Sequence, residues 1–346
     1  MNRKILLGSI YLFAVCMVFA FVTDHRWEDW YITFRASKNL AMGNGLVFNI
    51  GERVMTYTSP IGTLIPALIK YLLLDYSDDA TMWAYRIICS IVLALCSFPL
   101  FRIIEFFKLN RLFYFLGILL LSLSFIIIDN TINGMESAFM VFFECYLIYL
   151  LITKPQNYPT KLGIIFAFIM FSRPDGFIYA GAILLGFSIF STLPSTQITK
   201  QNLTNLLYSI FIASIIFTPW FLWTWYYYGT PVPHTIIAKS RTYNIEYFIN
   251  SFINYAKNFK GSSDIYLAPY GENFGGWGLF GLFARGMSLV SLFYWVNWKG
   301  NTIARSLSFS TLAMILYLNI VSGQGPAPWY LPAVAGPSII IWIFIF

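Results

Sequence analysis

Charge is scarce in this chain of 346 residues, where Asp, Glu, Lys and Arg make up 11%, against roughly 25% in an ordinary soluble domain. With 58% apolar residues and a mean hydropathy of +0.67, that shortage excludes a soluble fold, and one anchor of about 20 residues is too small to raise the average so far. Cysteine is scarce too. Cys16, Cys89, Cys96 and Cys145 all fall inside apolar runs, where a thiol behaves as a small hydrophobe, so neither a disulfide framework nor a zinc spacing is present. The sequence has no G-x-x-x-x-G-K-[ST] loop, no G-x-G-x-x-G turn after a strand and no H-E-x-x-H, which leaves nucleotide-binding and zinc-peptidase classes unsupported. It also has no repeat of fixed period and no matched pair of halves of the kind many secondary transporters carry.

What the chain does have is long apolar runs. Those near 5–22, 83–101, 112–128, 137–152, 162–172, 177–193, 205–227, 277–296, 306–321 and 329–346 predict an all-α, polytopic transmembrane bundle of about ten spans. Aromatics at 20% suit interfacial belts. The run from Pro60 to Leu74 contains Pro66 and is too short to cross, so it reads as a re-entrant or interfacial helix. The first segment starts basic and lacks an A-x-A site, which predicts an uncleaved first span rather than a signal peptide.

With these spans, Arg3 and Lys4, Arg102 to Arg111, Lys154 and Lys161, Lys200, and Lys299 and Arg305 share one side, which the positive-inside rule makes cytoplasmic. The net charge of +7 is accounted for by these orienting loops and implies no nucleic-acid partner. Every acidic residue except Glu105 and Glu144 then lies on the opposite face or in its loops, as do the two large loops at 23–59 and 229–276. Long loops on a rigid scaffold are where function concentrates. Nucleotide sugars are absent outside the cytoplasm, so a lipid-carried substrate is the natural expectation there.

The first outer loop reads TDHRWEDWYITFRASKNLAMGNGLVFNIGERVMTYTSP. Its adjacent acids Glu28 and Asp29 allow two readings: a helix start, where acids complement the dipole, or a general base for a hydroxyl nucleophile, with the second carboxylate positioning it or binding a cation. Arg35, seven residues after Glu28, would share its helix face. Asp75, Asp78 and Asp79 precede a span and read as a helix N-terminus before a metal cluster.

The stretch WEDWYITFRASKNLAMGNGLVFNIGERVMTYTSPIGTL resembles the first-loop signature of the GT-C superfamily of membrane glycosyltransferases, most closely the mycobacterial terminal arabinofuranosyltransferase and its bacterial relatives. The likeness continues through NGMESAF at 133–139, SRPDG at 172–176, YYYGTPVPHTIIAK at 226–239 and GQGPAPWYLPAVAGP at 323–337. Two positions depart from the pattern: Glu28 stands where relatives often have Asp, and His234 where they have Asn. A soluble C-terminal domain common in such enzymes has no counterpart, and the chain stops on Trp342 to Phe346 without a polar flank, as a fragment of a longer protein or a chain ending in lipid would.

The resemblance implies a single transmembrane glycosyltransferase domain over residues 1–346 of a bacterial inner membrane, with a cytoplasmic N-terminus and an outward-facing site. It implies an inverting enzyme that moves a sugar from a polyprenyl-phosphate donor to a hydroxyl of a cell-envelope glycan or glycolipid. The expected catalytic residues are Glu28 and Asp29. Donor phosphate falls to Arg35, Arg173, Lys239 and Arg241, and sugar or acceptor to Tyr57, Glu136, His234 and Trp329. No cofactor is assigned, and a divalent cation is left open. Pentose and hexose donors both fit, arabinose being a family analogy. The competing expectation is a transporter or lipid-linked-sugar flippase, for which Lys70, Glu144 and Arg285 would be the intramembrane ionisable groups.

Overall fold

The computed structural model describes residues 3–74, 77–190, 199–239, 245–257, 278–321 and 328–345. Among them the chain is helical, with no strand. Helix α1 (Arg3–Thr23) buries a single stripe, Ile5, Gly8, Leu12, Cys16 and Ala20, at helical spacing. Leu7, Ile10, Val18, Phe21 and Val22 remain exposed around it. An apolar helix with only one face buried against protein suits a hydrocarbon solvent on its other sides.

The segment that follows α1 is itself structured. It contains α2 (Asp29–Ala41), and the T-S-P of the sequence opens α3 (Pro60–Leu73). Ser59 caps α3, its Oγ accepting from the Gly62 N–H at 2.9 Å, with Pro60 in the first turn, where its missing N–H costs nothing. Then follow α4 (Asp78–Ala94), α5 (Ser97–Phe106), α6 (Leu112–Leu123), α7 (Phe125–Ile132), α8 (Ser137–Thr153), α9 (Tyr158–Ser172), α10 (Gly176–Phe190) and α11 (Lys200–Tyr228). The second large loop, 229–276, carries α12 (His234–Lys239) and α13 (Ile245–Lys257), and α14 (Gly278–Phe293), α15 (Thr302–Leu316) and α16 (Leu331–Ile345) complete the described chain.

Two helices form the centre. Helix α8 is buried on all sides from Ser137 to Ile152 apart from Phe142 and Tyr146, and α16 is buried from Leu331 to Ile343. Helices that are apolar all round belong in such a position. Around them α9 packs on α11 and α10 on α15, each at a glycine. A Cβ on Gly163 would stand 2.6 Å from the Ser209 carbonyl oxygen of α11, whereas a Cβ on Gly181 would meet nothing within 4 Å. Gly163→Ala is therefore expected to cost about 1–3 kcal/mol through overpacking. Gly181→Ala is expected to be neutral or to gain up to about 1 kcal/mol of helix propensity. Melting temperatures of the two purified variants in detergent check the contrast, and equal losses would contradict it.

The expected ten spans are not what the helices give by length. Among the described residues four are long and apolar enough to cross a membrane, Arg3–Thr23, Asp78–Phe106, Lys200–Tyr228 and Pro328–Ile345, or five if one bent pair counts as a span. That pair, α6 and α7, replaces the continuous run expected at 112–128 and turns by 61° at Ser124. Helices α8, α9 and α10 have 17, 15 and 15 residues. They form where runs were expected at 137–152, 162–172 and 177–193, and none reaches the roughly 20 residues that a crossing takes. Here Lys154 takes a left-handed conformation at φ 39° and ends α8, and the Arg173–Gly176 turn separates α9 from α10.

Candidate functional site

The segments singled out by the first-loop, N-G-M-E-S-A and R-P-D-G patterns, and the Trp329–Tyr330 end of the Pro-rich one, meet at one end of the bundle. The Trp27 N–H donates to the Asn133 carbonyl at 3.0 Å, and Trp30 packs so closely on Gly134, at φ 101°, that a Cβ there would lie 2.8 Å from that of Trp30. Only glycine fits both demands. From α4, buried Arg86 donates to the Ile132 carbonyl, the Asp24 carboxylate and the His25 carbonyl at 2.7, 2.6 and 2.7 Å. The Arg86 guanidinium holds the Asp24 carboxyl below its ordinary value. His25 Nδ1 in turn lies 2.6 Å from Asp129 Oδ1.

Glu136 and Arg173 form the buried heart of this end. Glu136 occupies the position before α8 but makes no capping bond. Arg173 Nη1 donates to Glu136 Oε1 at 3.1 Å and its Nε to Asp175 Oδ1 at 3.0 Å, while the guanidinium lies 4.0 Å from the centre of the Tyr330 ring. Burial pushes the Glu136 carboxyl above its ordinary value, opposed by the Arg173 charge. A Cβ on Gly62 would stand 3.5 Å from Glu136 Oε2, so the carboxyl faces the first turn of α3, the positive end of that helix's dipole. Trp329 closes the group. Its carbonyl accepts from Ser137 Oγ at 3.2 Å and its ring meets Trp27 edge-on at 5.6 Å.

The first-loop acids sit at the rim. Glu28 is exposed and adopts the N-cap position of α2 without a side-chain capping bond, and half-buried Asp29 opens the first turn. Arg35 departs from expectation. It does not pair with Glu28; its Nε donates to the Phe48 carbonyl at 3.0 Å and its Nη2 to Asn49 Oδ1 at 3.3 Å, with the Phe48 ring 4.3 Å below. The physical reason is the G-N-G turn. Gly43 and Gly45, at φ 81° and 88°, fold 46–49 back onto α2, where Asn39 Nδ2 donates to the Val47 and Phe48 carbonyls at 2.8 and 3.0 Å. The motif's Arg, Asn and glycines therefore build this loop.

Tyr57 and His234 lie in a second cluster. Tyr57 is buried with Leu46, Met55 and Tyr228, bonded to the Tyr228 hydroxyl at 3.1 Å. His234 Nδ1 accepts from the Met55 backbone N–H at 3.1 Å, and the His234 backbone N–H donates to the Met55 carbonyl at 3.0 Å. An imidazole that accepts at Nδ1 carries its proton on Nε2, so His234 fastens the second large loop to the first. Lys239 ends α12, and Arg241 lies outside the described residues, as do Asp75 and most of GQGPAP. Asp78 and Asp79 open α4 and pair with Lys70 and Arg26.

Trp27, His25, Asp129 and Tyr330 belong to this end and escaped the sequence reading. Tyr330 adjoins Trp329, and Asp129 is an acid set in the apolar run FIIIDNTI, a position that by itself signals a polar task. An apolar groove of about 480 Å³ opens beside the Arg173 turn, between α9, α10 and α11, lined by Phe166, Met170, Phe177 and Phe217 among others. In comparisons with protein-family models, curated proteins and solved structures, nothing matches the chain.

Proposed function

We propose that this protein is a polytopic membrane transferase whose site is the end of the bundle built from the first outer loop, Glu136, Arg173 and the Trp329–Tyr330 turn. More particularly, it is an inverting glycosyltransferase of the GT-C kind, taking its sugar from a polyprenyl phosphate on the extracytoplasmic face of a bacterial plasma membrane. One observation carries the reading: segments spread along the chain from Trp27 to Trp329, each resembling a stretch of that superfamily, meet through Trp27, Asn133, Glu136, Arg173 and Trp329.

In this reading a first-loop carboxylate, Glu28 or Asp29, removes the acceptor hydroxyl's proton as the oxygen attacks the anomeric carbon and the lipid phosphate leaves with its electron pair. Arg173 is spent on Glu136 and Asp175, so it fixes the wall against which the sugar lies, with Glu136 as a hydroxyl partner and Trp329 and Tyr330 as stacking faces. The leaving phosphate is left to Lys239 and Arg241 of the second outer loop, where charge stabilisation is the larger catalytic demand. The apolar groove beside Met170 and Phe177 suits an isoprenoid chain, as pockets for apolar ligands are concave and lined by such side chains.

The test is transfer by the purified chain from a panel of short-chain polyprenyl-phosphate pentoses and hexoses to crude cell-envelope acceptor. Labelled glycan from at least one donor is expected. No transfer and no polyprenyl phosphate release from any donor would overturn the reading.

A further inference from the structure

A second cavity, of about 480 Å³, opens beside α2 and is lined by Tyr31, Ile32, Arg35, Lys38, Phe48 and Asp78 among others. Its charge is unbalanced. Asp78 is satisfied by Lys70, 2.7 Å away, while neither Arg35 nor Lys38 pairs with a carboxylate among the described residues. Arg35 is held in place by its bonds to the Phe48 carbonyl and Asn49, which leave its Nη1 without a partner among the described residues. A guanidinium held in this way has already lost its rotamer freedom and binds an anion at lower cost. Beside the two cations stand the exposed ring of Tyr31 and the side chain of Ile32. Fixed positive charge next to flat apolar surface is what a sugar ring carrying a negative substituent requires.

The cavity is also near the first-loop acids. Ile32 is three residues beyond Asp29 and Arg35 six, which at helical rise is about 4.5 to 9 Å along α2. A saccharide whose terminal hydroxyl reached the Glu28–Asp29 rim would lay its next unit in this space. Resting on the transferase reading above, we propose that the cavity is the acceptor subsite, and that it takes an anionic saccharide unit, bearing a phosphate or a uronate carboxylate, one residue back from the hydroxyl that is glycosylated. Arg35 and Lys38 bind the anion, and Tyr31 supports the ring.

Binding of short soluble oligosaccharides of equal length to the full chain in detergent tests this without any donor. The probes are neutral, uronate-bearing and phosphate-bearing, with inorganic phosphate as a separate arm. One of the charged saccharides is expected to bind roughly tenfold or more tighter than the neutral one, as a charge-assisted contact warrants. The advantage is expected to shrink at high salt and to be lost in Lys38→Gln, with Tyr31→Ala weakening the saccharide but not inorganic phosphate. Preference for phosphate or uronate names the anion. Equal binding of neutral and charged probes, an unchanged Lys38→Gln, or inorganic phosphate binding as tightly as the phosphosaccharide would each overturn the proposal. Its failure is separable from that of the transferase reading: transfer to neutral acceptors unaffected by Lys38→Gln removes the subsite and keeps the enzyme. Charge-dependent binding with no transfer from any donor does the reverse.

Discussion

Glu28→Gln and Asp29→Asn are expected to divide sharply: one of them lowers transfer by about 10²- to 10⁴-fold, the contribution of a positioned general base, and the other lowers it less. Both changes keep size and shape, and Glu28 is exposed while Asp29 is half-buried at the start of α2, so neither should unfold the chain. Glu28 is the favoured base because it occupies the first position of the pair and its carboxyl stands outside the helix, whereas Asp29 sits where a negative charge complements the α2 dipole. Rates on a fixed donor and acceptor, beside melting temperatures, decide it. Two variants with wild-type rates would remove the first-loop carboxylates from the chemistry.

The second large effect is structural. Arg173→Met is expected to cost about 3–5 kcal/mol, since it leaves Glu136 buried without its cation. The double variant Arg173→Met, Glu136→Gln is expected to recover much of that loss, because removing both charges leaves no buried ion to stabilise. The single variant also carries a pH signature. The Glu136 carboxyl is already pushed up by burial, and without Arg173 it has one fewer influence opposing the rise. An acid raised in the folded state contributes stability that is fully present below its unfolded value of about 4.3 and is lost as pH climbs through the folded value. Arg173→Met should therefore be most stable in mild acid and lose stability towards neutrality, while the double variant should not show that loss. A single variant as stable as wild type at pH 7 would show that the pair does not hold this end together.

Much of this architecture was legible in the sequence because it depends on residue type and local pattern. The apolar runs marked helices, including the short one from Pro60, and the patterns around Glu136, Arg173 and Trp329 named side chains that the fold brings together. What was not legible depends on partners supplied from far away. Whether the run at 112–128 is one helix or two turns on a bend at Ser124, which does not alter hydropathy. Arg35 was expected beside Glu28 from helix spacing alone, yet two glycines bring the Phe48 carbonyl within its reach first. His234 and Tyr57 look equally functional in sequence, and only the return of Met55 and Tyr228 to the same place shows them tying loops together. Asp129 stood out in its apolar run, but nothing tied it to His25, 104 positions away.

The most direct test of the central claim is a single-turnover measurement on the purified wild-type chain reconstituted in liposomes, counting polyprenyl phosphate released and sugar transferred, with the anomeric configuration of the product read by NMR. The account predicts one phosphate released for each sugar moved to acceptor, with the configuration inverted. Movement of intact lipid-linked sugar from one leaflet to the other, with no phosphate released and no glycan formed, would contradict it and make the protein a carrier.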